Sequence, residues 1–72
     1  MSRIVVLGEE ARVEGFALGG GEVIAAATAD QVRDAWEALD VDVGVVVLTP
    51  AAARALEGVP ARPRLLTVVM PG

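Results

Sequence analysis

The stretch Thr28–Pro50, TADQVRDAWEALDVDVGVVVLTP, decides the fold. Thr28 and Gln31 have the spacing of a capping box, in which the threonine oxygen accepts a helix N–H and the glutamine reaches back. Val32, Ala35, Trp36 and Leu39 then recur at i, i+3, i+4 and i+7, which is one face of a helix. Asp30, Arg33, Asp34 and Glu37 fall elsewhere around it. Asp40-Val41-Asp42 turns the chain. Val43 to Leu48 is apolar without polar alternation, the pattern of a strand covered on both faces. Thr49-Pro50 places an N-cap residue before a proline at the first helical position, so a second helix starts there.

Working outward, the same alternation continues. Ile4-Val5-Val6-Leu7, closed by Gly8, reads as a buried strand. Glu9, Glu10 and Glu14 suit a helix N-terminus through its dipole, and a first helix is expected over 9–18. Glu22 to Ala27 reads as a second strand. Ala51 to Leu56 are good helix formers, with Gly58 as the expected C-terminal cap. Val59 to Arg64, with two prolines, is a loop, and Leu65 to Met70 is a fourth strand. The order βαβαβαβ predicts a single domain spanning 1–72. Its fold class is α/β, a small flavodoxin- or receiver-like three-layer sandwich. Right-handed crossovers give a four-stranded parallel sheet of order 2-1-3-4.

Composition narrows the function. The chain has 72 residues and a net charge of −4, with no cysteine, histidine or lysine. A disulfide is excluded, and so are the commonest metal ligand and the usual general base near neutral pH. A domain of this size is marginal alone, which leaves a partner as the available staple. Arg3, Arg12, Arg33 and Arg54 are scattered; only Arg62 and Arg64 form a pair. With one Phe and one Trp, the chain has neither the basic patch nor the stacking platforms of a nucleic-acid binder. The apolar run Val45 to Leu48, like every other in the chain, falls far short of a membrane span of about 20 residues. MSRIVVLGEE runs into acids too soon for a signal peptide, so the chain reads as cytosolic.

The motifs that hold chemistry in such sheets do not fit. A phosphate loop leaves a strand and enters a helix. Gly19-Gly20-Gly21 leaves a helix and enters a strand, which reads as a tight turn. At the correct edge, Gly8-Glu9-Glu10 presents two carboxylates that would repel phosphate and reads as a solvated helix start. Pro50 removes a backbone donor from the loop at Thr49. Receiver domains need an aspartate ending the third strand and a later lysine; here the strand ends Leu48-Thr49. Sugar-transport phosphocarriers need a cysteine or histidine nucleophile. Ser2 is the only serine. Asp40 and Asp42 read as turn residues and Trp36 as core. No catalytic, cofactor-binding or metal-binding residue is assigned, and binding is the function that remains.

The ordered series IVVLGEE, VEGFALGGGEV, the Thr-Ala-Asp helix start, GVVVLTPAAA and LLTVVMPG resembles the F subunits of the V-type/A-type rotary ATPases. The resemblance covers essentially the whole chain, with Thr49-Pro50 where that family often has Thr-Glu. It implies a non-catalytic central-stalk component of an ATP synthase or ion-transporting ATPase. Such a component binds the coiled-coil stalk that turns inside the catalytic hexamer. It couples ATP turnover to proton or other ion transport, and sits in the cytoplasm, peripheral to the membrane through the complex. Family members usually continue past the final Pro-Gly into a C-terminal helix, whereas this sequence ends at Pro71-Gly72. That helix would lie on the first-helix side above strands three and four. Without it, alternation leaves bare either Leu66, Val68 and Met70 or Leu65, Thr67 and Val69. Leu66, Val68 and Met70 are the candidate partner-binding residues. Two other readings stand beside this one: a receiver-like signalling or binding module without its phosphoacceptor, and a self-assembling homodimeric domain.

Overall fold

A computed structural model describes residues 3–13 and 22–71. The elements are β1 (Arg3–Gly8), α1 (Glu10–Val13), β2 (Glu22–Ala25), α2 (Ala29–Ala38), β3 (Val43–Leu48), α3 (Pro50–Ala55) and β4 (Leu66–Val69). All pairings are parallel, and the described strands form one sheet of order β2-β1-β3-β4. This is the order expected from the sequence.

Local chemistry sets the helix starts. Thr28 Oγ1 accepts from Gln31 N–H at 3.2 Å. Gln31 Oε1 accepts from Ala27 N–H at 2.7 Å, one residue before the cap, so the box closes on the preceding amide. Thr49 caps α3 by accepting from Ala52 N–H at 3.2 Å, with Pro50 at the first helical position. Beyond α3, Val59 N–H donates to Leu56 C=O at 3.0 Å, closing a turn with Gly58 in its third position at φ 81°. That left-handed conformation is what glycine supplies cheaply. α2 ends against Arg62, whose guanidinium donates to the carbonyls of Trp36 and Leu39, both at 2.8 Å. The Leu39 carbonyl is thereby satisfied from the loop that leads into β4, and the Trp36 carbonyl, which already accepts from Leu39 N–H at 3.3 Å, gains a second donor.

The core lies between the sheet and the α2/α3 layer. Val5 and Leu7 of β1, Val46 and Leu48 of β3, Val32, Trp36 and Leu39 from the α2 segment, and Ala52 of α3 are all buried there. Val43 joins them, although it is three positions from Val46 and strict alternation would turn it to the other face. The register explains this. Arg3 pairs with Val43 and Ile4 with Val45, so β3 carries one extra residue at Gly44, a bulge that resets the alternation. The opposite face carries α1, which packs on β1 and β2, with Val13 and Val6 buried.

Three expectations are revised. The first helix starts at Glu10 rather than residue 9, and its expected part over 14–18 lies outside the described residues. The second strand ends at Ala25 instead of Ala27: Ala26 N–H makes the last bond to β1, to Gly8 C=O at 2.9 Å, and Ala27 N–H is taken by Gln31 of the α2 cap. A sheet covered on both faces holds only for part of its width: all four residues of β4 are exposed. The Gly19–Gly21 turn lies outside the described residues.

Candidate docking face

The register places Ile4, Val45 and Leu66 in one row across the α1 face, and Val6, Val47 and Val68 in the next. In the first row Ile4 is 51% exposed and Leu66 61%, with Val45 half-buried between them. In the second row Val6 is buried, Val47 half-buried and Val68 43% exposed. Met70 follows β4 half-buried, its N–H donating to Leu48 C=O at 2.8 Å. Leu66, Val68 and Met70 therefore share one face of β4 and continue an apolar stripe that starts on β1. Sequence reading named the β4 part of it. Ile4, Val45 and Val47 were missed, because their membership depends on register, which local pattern does not specify.

On the α2/α3 face, Thr67 and Val69 border a hollow of about 290 Å³, with Trp36, Leu48, Ala53, Leu56, Val59 and Ala61 as its other walls. Val69 is 51% exposed at its rim. Among the described residues, β4 is thus open on both faces and has no strand along its outer edge.

The carboxyl edge, where ligands bind in folds of this class, is built differently. Thr49 is fully buried. Its hydroxyl donates to Glu9 Oε1 and accepts from Ala52 N–H. The Glu9 carboxyl is held below its ordinary range, first by that hydroxyl, then by a hydrogen bond from its own backbone amide, with Arg12 and Arg54 adding smaller effects. Glu9 is therefore an engaged acceptor and not the solvated side chain expected from sequence. Gly8 lies against Thr49: a β-carbon there would sit 2.8 Å from Thr49 Cβ and nearer still to its Oγ1 and Cγ2. A shallow cavity of about 300 Å³ opens beside this contact, walled mostly by alanines with Glu9, Thr28 and Arg54 at its rim. The position that ends β3 in a receiver domain holds a hydroxyl already committed to two partners.

At the amino edge, Arg3 binds three acids. Its guanidinium grips Glu22 through Nε at 2.9 Å and through Nη2, and reaches Asp42 at 3.0 Å and Asp40 at 3.4 Å. The Arg3 bond holds the Glu22 carboxyl below its ordinary range. Asp40 and Asp42 thus do more than turn the chain: they tie the α2–β3 corner to β1 and, through Arg3, to β2. Among the described residues, no three acidic, histidine or cysteine side chains form a group that would hold a metal ion.

No family model matches the sequence, and no curated protein matches it. Among solved structures, the chain is similar to the F subunit of the V-type ATP synthase from Archaeoglobus fulgidus, with a TM-score of 0.52 and 22% identity. The match covers 93% of this chain and 96% of that one. The chain has the F-subunit fold. Within that fold, the features that sequence reasoning missed are all long-range: Thr49 with Glu9, Arg3 with Glu22 and Asp42, and Arg62 with the end of α2.

Proposed function

We propose that this chain is a non-catalytic central-stalk component of a V/A-type rotary ATPase. The observation that carries the proposal is the similarity in fold to the F subunit of a V-type ATP synthase over 93% of the chain. The ordered sequence motifs point the same way. On this reading the protein does no chemistry. It docks on the coiled-coil stalk and helps transmit the strain of ATP turnover in the catalytic hexamer to ion transport. A rigid core suits such a part, and an apolar face supplies its grip. Leu66, Val68 and Met70, with Val45 and Val47 beside them, are the residues proposed to contact the stalk. No helix among the described residues is long and apolar enough to cross a membrane, and a peripheral position through the complex fits that.

The test is light scattering coupled to size exclusion, on the chain mixed with the coiled-coil stalk protein of the same organism's rotary ATPase. A stable one-to-one complex is expected, and Leu66→Asp combined with Val68→Asp should abolish it while the circular dichroism of the free chain stays unchanged. Absence of a complex at micromolar concentration would overturn the reading.

A further inference from the structure

The outer edge of β4 has the features of a strand waiting for a neighbour. Met70 N–H points inward to Leu48 C=O, so by the two-residue alternation of a strand the amides and carbonyls of Thr67 and Val69 point outward. β4 has one neighbour in the sheet. Apart from its shortness, four residues, β4 has no edge protection among the described residues: Leu65 to Met70 contains no charge and no proline, and the β3–β4 register has no bulge. The exposure is also two-sided, with Leu66 and Val68 bare on the α1 face and Val69 on the other, beside the hollow walled by Leu56 and Val59. A helix laid on the α1 face would leave the outward amides and the hollow open. An added strand covers the edge and touches both faces.

We infer that the occupant is a second copy of this chain, pairing β4 with β4 antiparallel about a two-fold axis at Val68. The register follows from which groups are free. Leu65 N–H is already taken by Arg62 C=O at 3.0 Å, and Pro71 has no N–H. The outward amides left are those of Thr67 and Val69, and centring on Val68 uses all of them: Thr67 of each copy exchanges both its backbone bonds with Val69 of the other. Val68 then faces Val68, and Leu66 faces Met70, in non-hydrogen-bonded pairs where side chains approach most closely. Every facing pair on the α1 side is apolar. The nearest charge in sequence, Arg64, falls about 26 Å from its own copy across the axis, well beyond the screening length at physiological salt. The product is one eight-stranded sheet, and the two hollows beside Thr67 and Val69 meet at the axis. The contact shares the side chains of Leu66, Val68 and Met70 with the stalk reading and adds the outward amides of Thr67 and Val69, which a stalk on the face does not use, so a change confined to those amides separates the two.

The test is sedimentation of the intact chain from micromolar to millimolar concentration, together with single-cysteine cross-linking, which the absence of native cysteine makes clean. The mass should rise from monomer to dimer. Thr67→Pro deletes one outward N–H per copy at a site that β3 does not use, and should weaken dimerisation by about 100-fold. Under mild oxidation the Val68→Cys chain should cross-link to a dimer, because facing residues at such a position lie within disulfide reach. The Leu66→Cys chain should stay monomeric, because its facing residue is Met70. A monomer at every concentration, or equal cross-linking of the two cysteine variants, would overturn the proposal. If the stalk complex forms with the Thr67→Pro chain, the two contacts are separate.

Discussion

The two faces of the sheet are finished to different degrees. The α2/α3 face is closed over three strands by Trp36, Leu39 and Ala52, and even the bulge at Gly44 serves it by returning Val43 to the core. Among the described residues, the α1 face is closed only where α1 lies, over β1 and β2, and Ile4, Leu66 and Val68 are left about half exposed. Both faces are equally apolar in sequence. The difference teaches that the packing that holds this fold lies on one side of the sheet, while the other side keeps the apolar surface that the proposed contacts would use. Parallel strands need cover on both faces, so the unfinished half is where a partner adds most.

The largest effect expected from that contrast comes from one substitution on each face. Trp36→Ala should cost about 3 to 5 kcal/mol, by lost burial and the cavity it leaves. A 72-residue domain has roughly 4 to 11 kcal/mol in all. Much of the Trp36→Ala population should therefore be unfolded at ambient temperature. Val68→Ser should cost no more than about 1 kcal/mol, because a side chain that is 43% exposed loses only part of a valine's burial. Urea unfolding followed by circular dichroism reads both. A large loss at Val68 would mean that the α1 face is not bare in solution, and a small loss at Trp36 would mean that the α2/α3 side is not the core.

The next effect tests whether the closed side extends to the carboxyl edge. Gly8→Ala forces a methyl into Thr49, which is fully buried and fixed by two hydrogen bonds. Overpacking of this kind costs about 1 to 3 kcal/mol. Thr49→Ser removes the crowding Cγ2 and keeps the hydroxyl. Unfolding midpoints of the four chains of the cycle should show the double variant less destabilised than the sum of the singles, by more than about 0.5 kcal/mol. Strict additivity would mean that Gly8 and Thr49 do not touch.

What the sequence made legible was local. Thr28 with Gln31 and Thr49 with Pro50 mark two helix starts within four residues each, and apolar runs bounded by such marks give the strands. Strand order then follows from handedness. The bare stripe was legible down to two alternative residue sets, because alternation divides β4 but does not say which set faces α1. The rest depends on pairs far apart in the chain. Arg3 meets Glu22 and Asp42 across separations of 19 and 39 residues, and Thr49 meets Glu9 across 40. No periodicity encodes such a pair, and one bulge at Gly44 shifts every partner downstream of it. Glu9 and Glu10 look alike in sequence, yet only Glu9 has Thr49 within reach.

The smallest effect expected is a pH dependence at Glu9, and its sign follows from that contact. The Thr49 hydroxyl, helped by the Glu9 backbone amide, favours the carboxylate and lowers its pKa in the folded chain. Unfolded, the group titrates at about 4.3. The folded state therefore binds fewer protons than the unfolded state between the two values. The stabilisation is complete above about pH 4.3 and is lost as pH falls through the lower folded value. Glu22 contributes with the same sign at the other end of the sheet through Arg3, so the acid limb of the wild-type chain sums both. Glu9→Gln isolates one of them. Its neutral oxygen still accepts from Thr49 but has no charge to lose. The gap in urea midpoint between wild type and Glu9→Gln should be constant from pH 7 to pH 5 and close toward pH 3. A gap that stays open at pH 3 would place the effect in packing at the carboxyl edge. A gap absent at pH 7 would mean that Thr49 does not hold the Glu9 carboxylate.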